Sequence, residues 1–182
     1  MLLRDYLGDA MRTTTTHDAY VGIPLAELSA KARGDVLEGV VRRVLEESAG
    51  EVATDPVVGV SVAGSKRPLT SAPYDFSLRG RRVEVKSAQL KYDKHRLCWF
   101  VSWQQIKSDM HDDLYLAMYT PSGVFLFKHD GTKGVTTSGK AQESGGGQVQ
   151  VCGPRSEKSV ERATAVVVDK MRTMLVAHLE YA

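Results

Sequence analysis

The stretch Asp75-Phe76-Ser77-Leu78-Arg79-Gly80-Arg81-Arg82-Val83-Glu84-Val85-Lys86-Ser87 decides how this chain is read. Two short runs of strand character, Asp75 to Leu78 and Arg82 to Ser87, flank Arg79-Gly80-Arg81, a turn by composition, and a β-hairpin is expected. Residues i and i+2 of a strand share a face, so Glu84 and Lys86 point one way while Val85 points oppositely into apolar packing. Pairing across the turn brings Asp75 toward Glu84. Two carboxylates and an ammonium then converge. Such a cluster is too costly to assemble in a core without a compensating cation or substrate.

Upstream, Leu37, Val41, Val44 and Leu45 form one apolar stripe at helical spacing, predicting a helix from about Leu25 to Ser48 that Ala49-Gly50 stops. Gly34 marks a break or a close packing contact. Residues 1–24 read as a short arm or brief helix leading into Pro24, and Val57 to Val62 as a strand followed by a loop. Downstream, Leu97 to Val101 reads as a central strand, and Ser102 to Met110 as a short helix capped by Ser102. Leu114 to Tyr119 and Val124 to Lys128 form a second hairpin. Residues 130–147 carry no apolar pattern and read as a long flexible loop, Gln148 to Cys152 as an edge strand, and residues 157–181 as a long C-terminal helix. The expected fold class is α/β of the mixed α+β kind, with two long helices around five or six short strands in one domain over residues 1–182.

Apolar residues make up 42 % and charged residues 25 % of the chain, which places it with ordinary globular domains and not with disordered ones. No apolar run reaches membrane-spanning length, and the N-terminal residues carry acids where a signal peptide would stay apolar, so a cytoplasmic, non-membrane protein is expected. Cys98 and Cys152 lie far apart, outside any CxxC pair, and read as small buried hydrophobes. Net charge is only +2, but residues 61–107 hold ten Lys or Arg against three acids. A middle segment this basic suits a polyanion.

The order of Asp75, turn, Glu84-Val85-Lys86 and apolar strand resembles the signature of the PD-(D/E)xK nuclease superfamily, the restriction-endonuclease-like fold. The resemblance covers roughly residues 30 to 127; it departs in that Pro73 stands two residues before the aspartate and not directly before it. It implies a central mixed β-sheet flanked by helices. It further implies Asp75 and Glu84 as ligands for Mg²⁺, with Mn²⁺ as a substitute, and Lys86 positioning or activating water. Glu38, at the edge of the helical stripe, matches the family's auxiliary acid as a further ligand or supporting group. The plainer reading of Glu38 is an exposed i,i+4 pair with Arg42.

Nucleic-acid contacts are expected from Lys66 and Arg67 in the loop before Asp75, from Gln89 beyond the motif, and from Gln104. Lys91, Lys94, His95 and Arg96 read as a basic loop facing phosphates, with a base contact from Arg96. Trp103 serves either as a core aromatic or as a stacking platform, and His111-Asp112-Asp113 reads as a turn. The function implied is a magnesium-dependent endonuclease on double-stranded DNA, first of all a type II restriction enzyme acting as a homodimer, with the C-terminal helix as a dimer surface. The alternatives are a repair or recombination nuclease, such as a junction resolvase or mismatch nickase, and a non-catalytic DNA-binding subunit of the same fold.

Overall fold

Ser29 divides the expected first helix in two. Its hydroxyl accepts the N–H of Ala32 at 3.2 Å and caps α2, Ala30–Ala49, while Pro24–Glu27 forms the separate short α1 with Pro24 in its first turn. Gly50, at φ +64°, closes α2 in the left-handed conformation. Leu37, Val41 and Leu45 are buried four residues apart, as the stripe predicts. Gly34 lies inside the helix; a Cβ there would stand 4.0 Å from Ser87 Oγ, an ordinary contact, so it marks neither a break nor a close approach that needs glycine. The computed structural model describes residues 17–57, 72–107, 109–131, 135–136 and 147–181. Lys66, Arg67 and the strand expected from residues 57 to 62, beyond Val57, lie outside the described residues, as does most of 130–147.

The remaining elements are β1 (Phe76–Leu78), β2 (Arg81–Gln89), β3 (Lys91–Asp93), β4 (Cys98–Ile106), β5 (Asp113–Thr120), β6 (Gly123–His129), β7 (Val135–Thr136), β8 (Gly147–Arg155), α3 (Val160–Lys170) and β9 (Leu175–Leu179). They give a mixed α/β fold in which a central five-stranded sheet, ordered β1-β2-β5-β6-β9, is flanked by helices and backed by a second sheet ordered β3-β4-β8-β7. β2 and β5 run parallel; the other described pairings are antiparallel. β5 is buried along its whole length, the pattern of a strand covered on both faces. One core spans both sheets, and the Trp103 indole N–H donates to Ala117 O at 3.0 Å to tie β4 to β5. Trp103 is therefore a core aromatic. No described helix is long and apolar enough to cross a membrane.

Several expectations are corrected. Ser102 to Met110 is no capped helix: β4 continues to Ile106, with Trp99, Val101 and Trp103 buried on its inner face. The C-terminal helix ends at Lys170, and a 3-10 turn at Arg172–Met174 leads into β9. The apolar residues of that tail suit helix or strand, and the open edge of β6 supplies ladder partners that a longer helix could not use. The C-terminal helix expected over residues 157–181, with the dimer surface expected on it, is thus confined to Val160–Lys170. Lys91 belongs to β3, which narrows the basic loop to residues 94–97. β8 is no edge strand, because Val135–Thr136, inside the expected flexible loop, pairs alongside it as β7. The 3-10 turn Asp18–Tyr20 matches the brief helix before Pro24, and it is anchored: the buried Tyr20 hydroxyl donates to Leu90 O at 2.7 Å. Cys98 is buried and Cys152 half-buried, both as free thiols.

Candidate active site

The hairpin forms as expected, and its geometry explains why. Arg79 and Gly80 occupy the two-residue loop at φ +52° and +72°, the handedness that matches strand twist, and they set Phe76, Ser77 and Leu78 against Val83, Arg82 and Arg81. At Asp75 the regular ladder ends. Its N–H still donates to Val83 O at 3.0 Å, but its Oδ2, and not a backbone carbonyl, accepts the Val85 N–H at 2.6 Å. The carboxylate is thereby pinned to the peptide that follows Glu84. Glu84 is buried, 4 % exposed, and forms an ion pair with Lys86 two residues along the same strand. Asp75, Glu84 and Lys86 are thus brought together.

The electrostatics of this group are unbalanced. Burial first, and then the negative charge of Glu84, push the Asp75 carboxyl up to about 7, the Val85 N–H opposing the rise only in part. Half-buried Glu38 is raised as well, by burial first and then by Asp35 and Glu84. The i,i+4 pair with Arg42 does not form. Arg42 turns to Glu46 at 3.2 Å and to Ala53 O at 2.7 Å, leaving Glu38 without a cation within 4.0 Å among the described residues. Among the described residues, Lys86 is the only cation within 4.0 Å of any of the three acids, and it pairs with Glu84.

The donor set suits a hard cation. Carboxylate oxygens are the ligands Mg²⁺ prefers, and that ion keeps several waters and is commonly held by one or two protein carboxylates; Asp75 and Glu84 are the residues that would hold it here. Among the described residues no group of three or more His, Cys, Asp or Glu is arranged to hold a metal, so Asp75, Glu84 and Glu38 do not form a three-carboxylate site in this geometry.

The expected contact residues separate into two places. Gln89, Lys91 and Gln104 line a cleft of about 520 Å³ that begins directly beyond Lys86 on β2. Lys94, His95 and Arg96 are exposed in the β3–β4 turn instead, where Asp93 accepts the backbone N–H groups of His95 and Arg96 at 2.8 and 3.1 Å. Arg96 Nε sits 3.5 Å from Asp93 and its guanidinium lies over the Phe100 ring, so it is partly neutralised. Asp112 and Asp113 are no simple turn: they bind Arg82 and Arg81 across the parallel β2–β5 pair. The basic surface shrinks accordingly. Lys91, Lys94 and Lys107 remain without a carboxylate within 4.0 Å among the described residues.

Three side chains escaped the sequence reading. Arg33 and Gln105 line the same cleft, and no pattern in the sequence singles out either. His111 lies within electrostatic reach of Glu84 and Lys86, its pKa lowered mainly by burial, with a buried Nδ1 that has no hydrogen-bond partner. Its position just ahead of the Asp112-Asp113 pair was the available signal. Comparison of the chain with family models, with curated proteins and with solved structures gives no match.

Proposed function

We propose that this chain is a magnesium-dependent endonuclease that hydrolyses DNA phosphodiesters, as the resemblance to the PD-(D/E)xK nucleases implies. The observation that carries the reading is the Asp75 carboxylate, held against the Glu84–Val85 peptide, charge-crowded by Glu84, and accompanied by the ammonium of Lys86. Bound Mg²⁺ would polarise the phosphodiester and lower the pKa of an attacking water. Asp75 and Glu84 would hold that ion. Lys86 orients the water and stabilises negative charge growing on the phosphoryl oxygens, a role an ammonium fills without losing its proton. Glu38 adds negative potential at the rim. A restriction-endonuclease-like core fits the hairpin followed by a buried strand parallel to β2, and duplex DNA is the expected substrate.

The test is cleavage of supercoiled and linear duplex DNA with Mg²⁺, with EDTA, and by Lys86→Ala. Discrete fragments that need metal and vanish in the variant fit a restriction role. Metal-dependent nicking or smearing keeps the site and favours repair or processing. Well-folded protein that cuts neither duplex nor branched DNA overturns the catalytic reading.

A further inference from the structure

We infer that the cleft between β2 and β4 receives a single unpaired nucleotide, and that the site's substrate is duplex DNA carrying such a nucleotide beside the scissile bond. This rests on the nuclease reading for its position, not for its own chemistry. The cleft adjoins the candidate site along β2, since Ala88, two residues beyond Lys86 on the same face of the strand, lines it. Its volume of about 520 Å³ lies in the range of small-molecule sites. A base edge inside a duplex groove is read by a protruding helix or strand, whereas a concave cleft needs a group that enters it.

The lining matches a nucleotide in each of its parts. Gln89, Gln104 and Gln105 contribute three amides, each able to donate and accept, the complement of the N6 and N7 edge of adenine. Phe100 supplies an aromatic surface for stacking. Arg33 and Lys91 supply positive charge for phosphate, and among the described residues no carboxylate lines the cleft. Arg33 is held in place rather than neutralised: one amino group donates to Leu28 O at 3.1 Å and its guanidinium lies over the Tyr119 ring. The Tyr119 hydroxyl is buried without a hydrogen-bond partner.

The backbone bears on the same point. Between Trp103 and Ile106 the β4 strand carries one residue more than β8 opposite it, and Gln105 within that bulge sits at φ +59°. Bulges re-aim side chains, and a left-handed glutamine persists only where the surroundings enforce it. Glycine at this position would relieve the strain and remove the amide. Stability and binding therefore separate in one substitution.

The experiment measures binding of the full chain to two labelled duplexes of one sequence, one fully paired and one with a single unpaired adenosine, by fluorescence anisotropy with Ca²⁺ replacing Mg²⁺ to hold back cleavage. The expected result is at least about tenfold tighter binding to the unpaired-adenosine duplex, because that nucleotide avoids the cost of leaving a stack. The combined Gln104→Ala, Gln105→Gly variant should keep or raise its melting temperature and bring the affinity ratio to within about twofold of one. Equal binding to both duplexes, binding to neither, or a preference that survives in the folded variant overturns the inference. Cleavage of the same duplexes with Mg²⁺ is scored separately: cutting without preference sinks the cleft alone, and preference without cutting sinks the catalytic reading alone.

Discussion

Two charged regions lie along β2 and behave oppositely. At its start, Arg81 grips Asp113 through Nε and a terminal amino group at 2.6 and 2.9 Å, and Lys128 adds a third contact at 2.9 Å. Arg82 grips Asp112 in the same two-pronged way, and Asp112 also accepts the Arg82 backbone N–H. Every acid there has its cations, and the carboxyls of Asp112 and Asp113 are held below the usual range by those hydrogen bonds. A few residues on, Asp75, Glu84 and Glu38 share Lys86, and Asp75 and Glu38 are raised instead. The first region fastens two parallel strands. The second holds uncompensated negative charge in a half-buried place, which lowers stability and makes a bound cation favourable.

The largest expected effect tests the crowded region. Asp75→Asn keeps the acceptor for the Val85 N–H but removes a metal-binding charge, and should lower Mg²⁺-dependent cleavage by about a thousandfold in single-turnover assays. A variant within tenfold of wild type would erase the contrast. Next comes the balanced region: Asp113→Ala strands Arg81 and Lys128 and should cost about 2 kcal/mol, a fall of roughly 6 °C in melting temperature.

A third prediction sets the two regions against each other through pH. Folded Asp75 keeps its proton up to about pH 7, whereas an unfolded carboxyl releases it near pH ~4. The folded state thus binds more protons in that window, and metal-free stability falls as pH rises through it. Asp112 and Asp113 work the other way, with stability fully present above pH ~4 and lost as acid protonates them. Asp75→Asn should therefore raise metal-free stability at pH 8 by on the order of 1 kcal/mol after solvent screening, and Mg²⁺ should stabilise wild type but not this variant. Thermal melts at pH 5 and pH 8, with and without the ion, check both. The smallest effect belongs to Glu38→Gln, which should lower cleavage only several-fold because Glu38, half-buried on α2, acts on the site through its charge on Asp75 and Glu84.

Much of the candidate site was legible because it is local. Asp75 reaches Glu84 through a two-residue turn that Arg79-Gly80 specifies, and Glu84 meets Lys86 by the period of a strand. The α2 stripe of Leu37, Val41 and Leu45 was legible for the same reason. The misreadings fall where one pattern serves two structures. The alternation of Trp99, Val101 and Trp103 was masked by Gln104 and Gln105, whose polarity suggests an exposed helix end but reflects the cleft rim. In the tail, Val167, Met171 and Met174 continue a helical stripe past the residue where the helix stops.

The sequence by itself determined the hairpin, the acid-acid-lysine set and the capped amphipathic helix, since turn chemistry and side-chain periodicity act over a few residues. Tertiary structure alone decided which of the basic residues are neutralised, because Arg81 and Arg82 meet Asp113 and Asp112 only when β5 lies parallel beside β2. It also decided the cleft, whose walls come from residues as distant as Arg33 and Gln105, and the strand at the C-terminus, which answers to the open edge of β6. Backbone groups at a sheet edge must find partners wherever the fold brings them, and no local pattern records that demand.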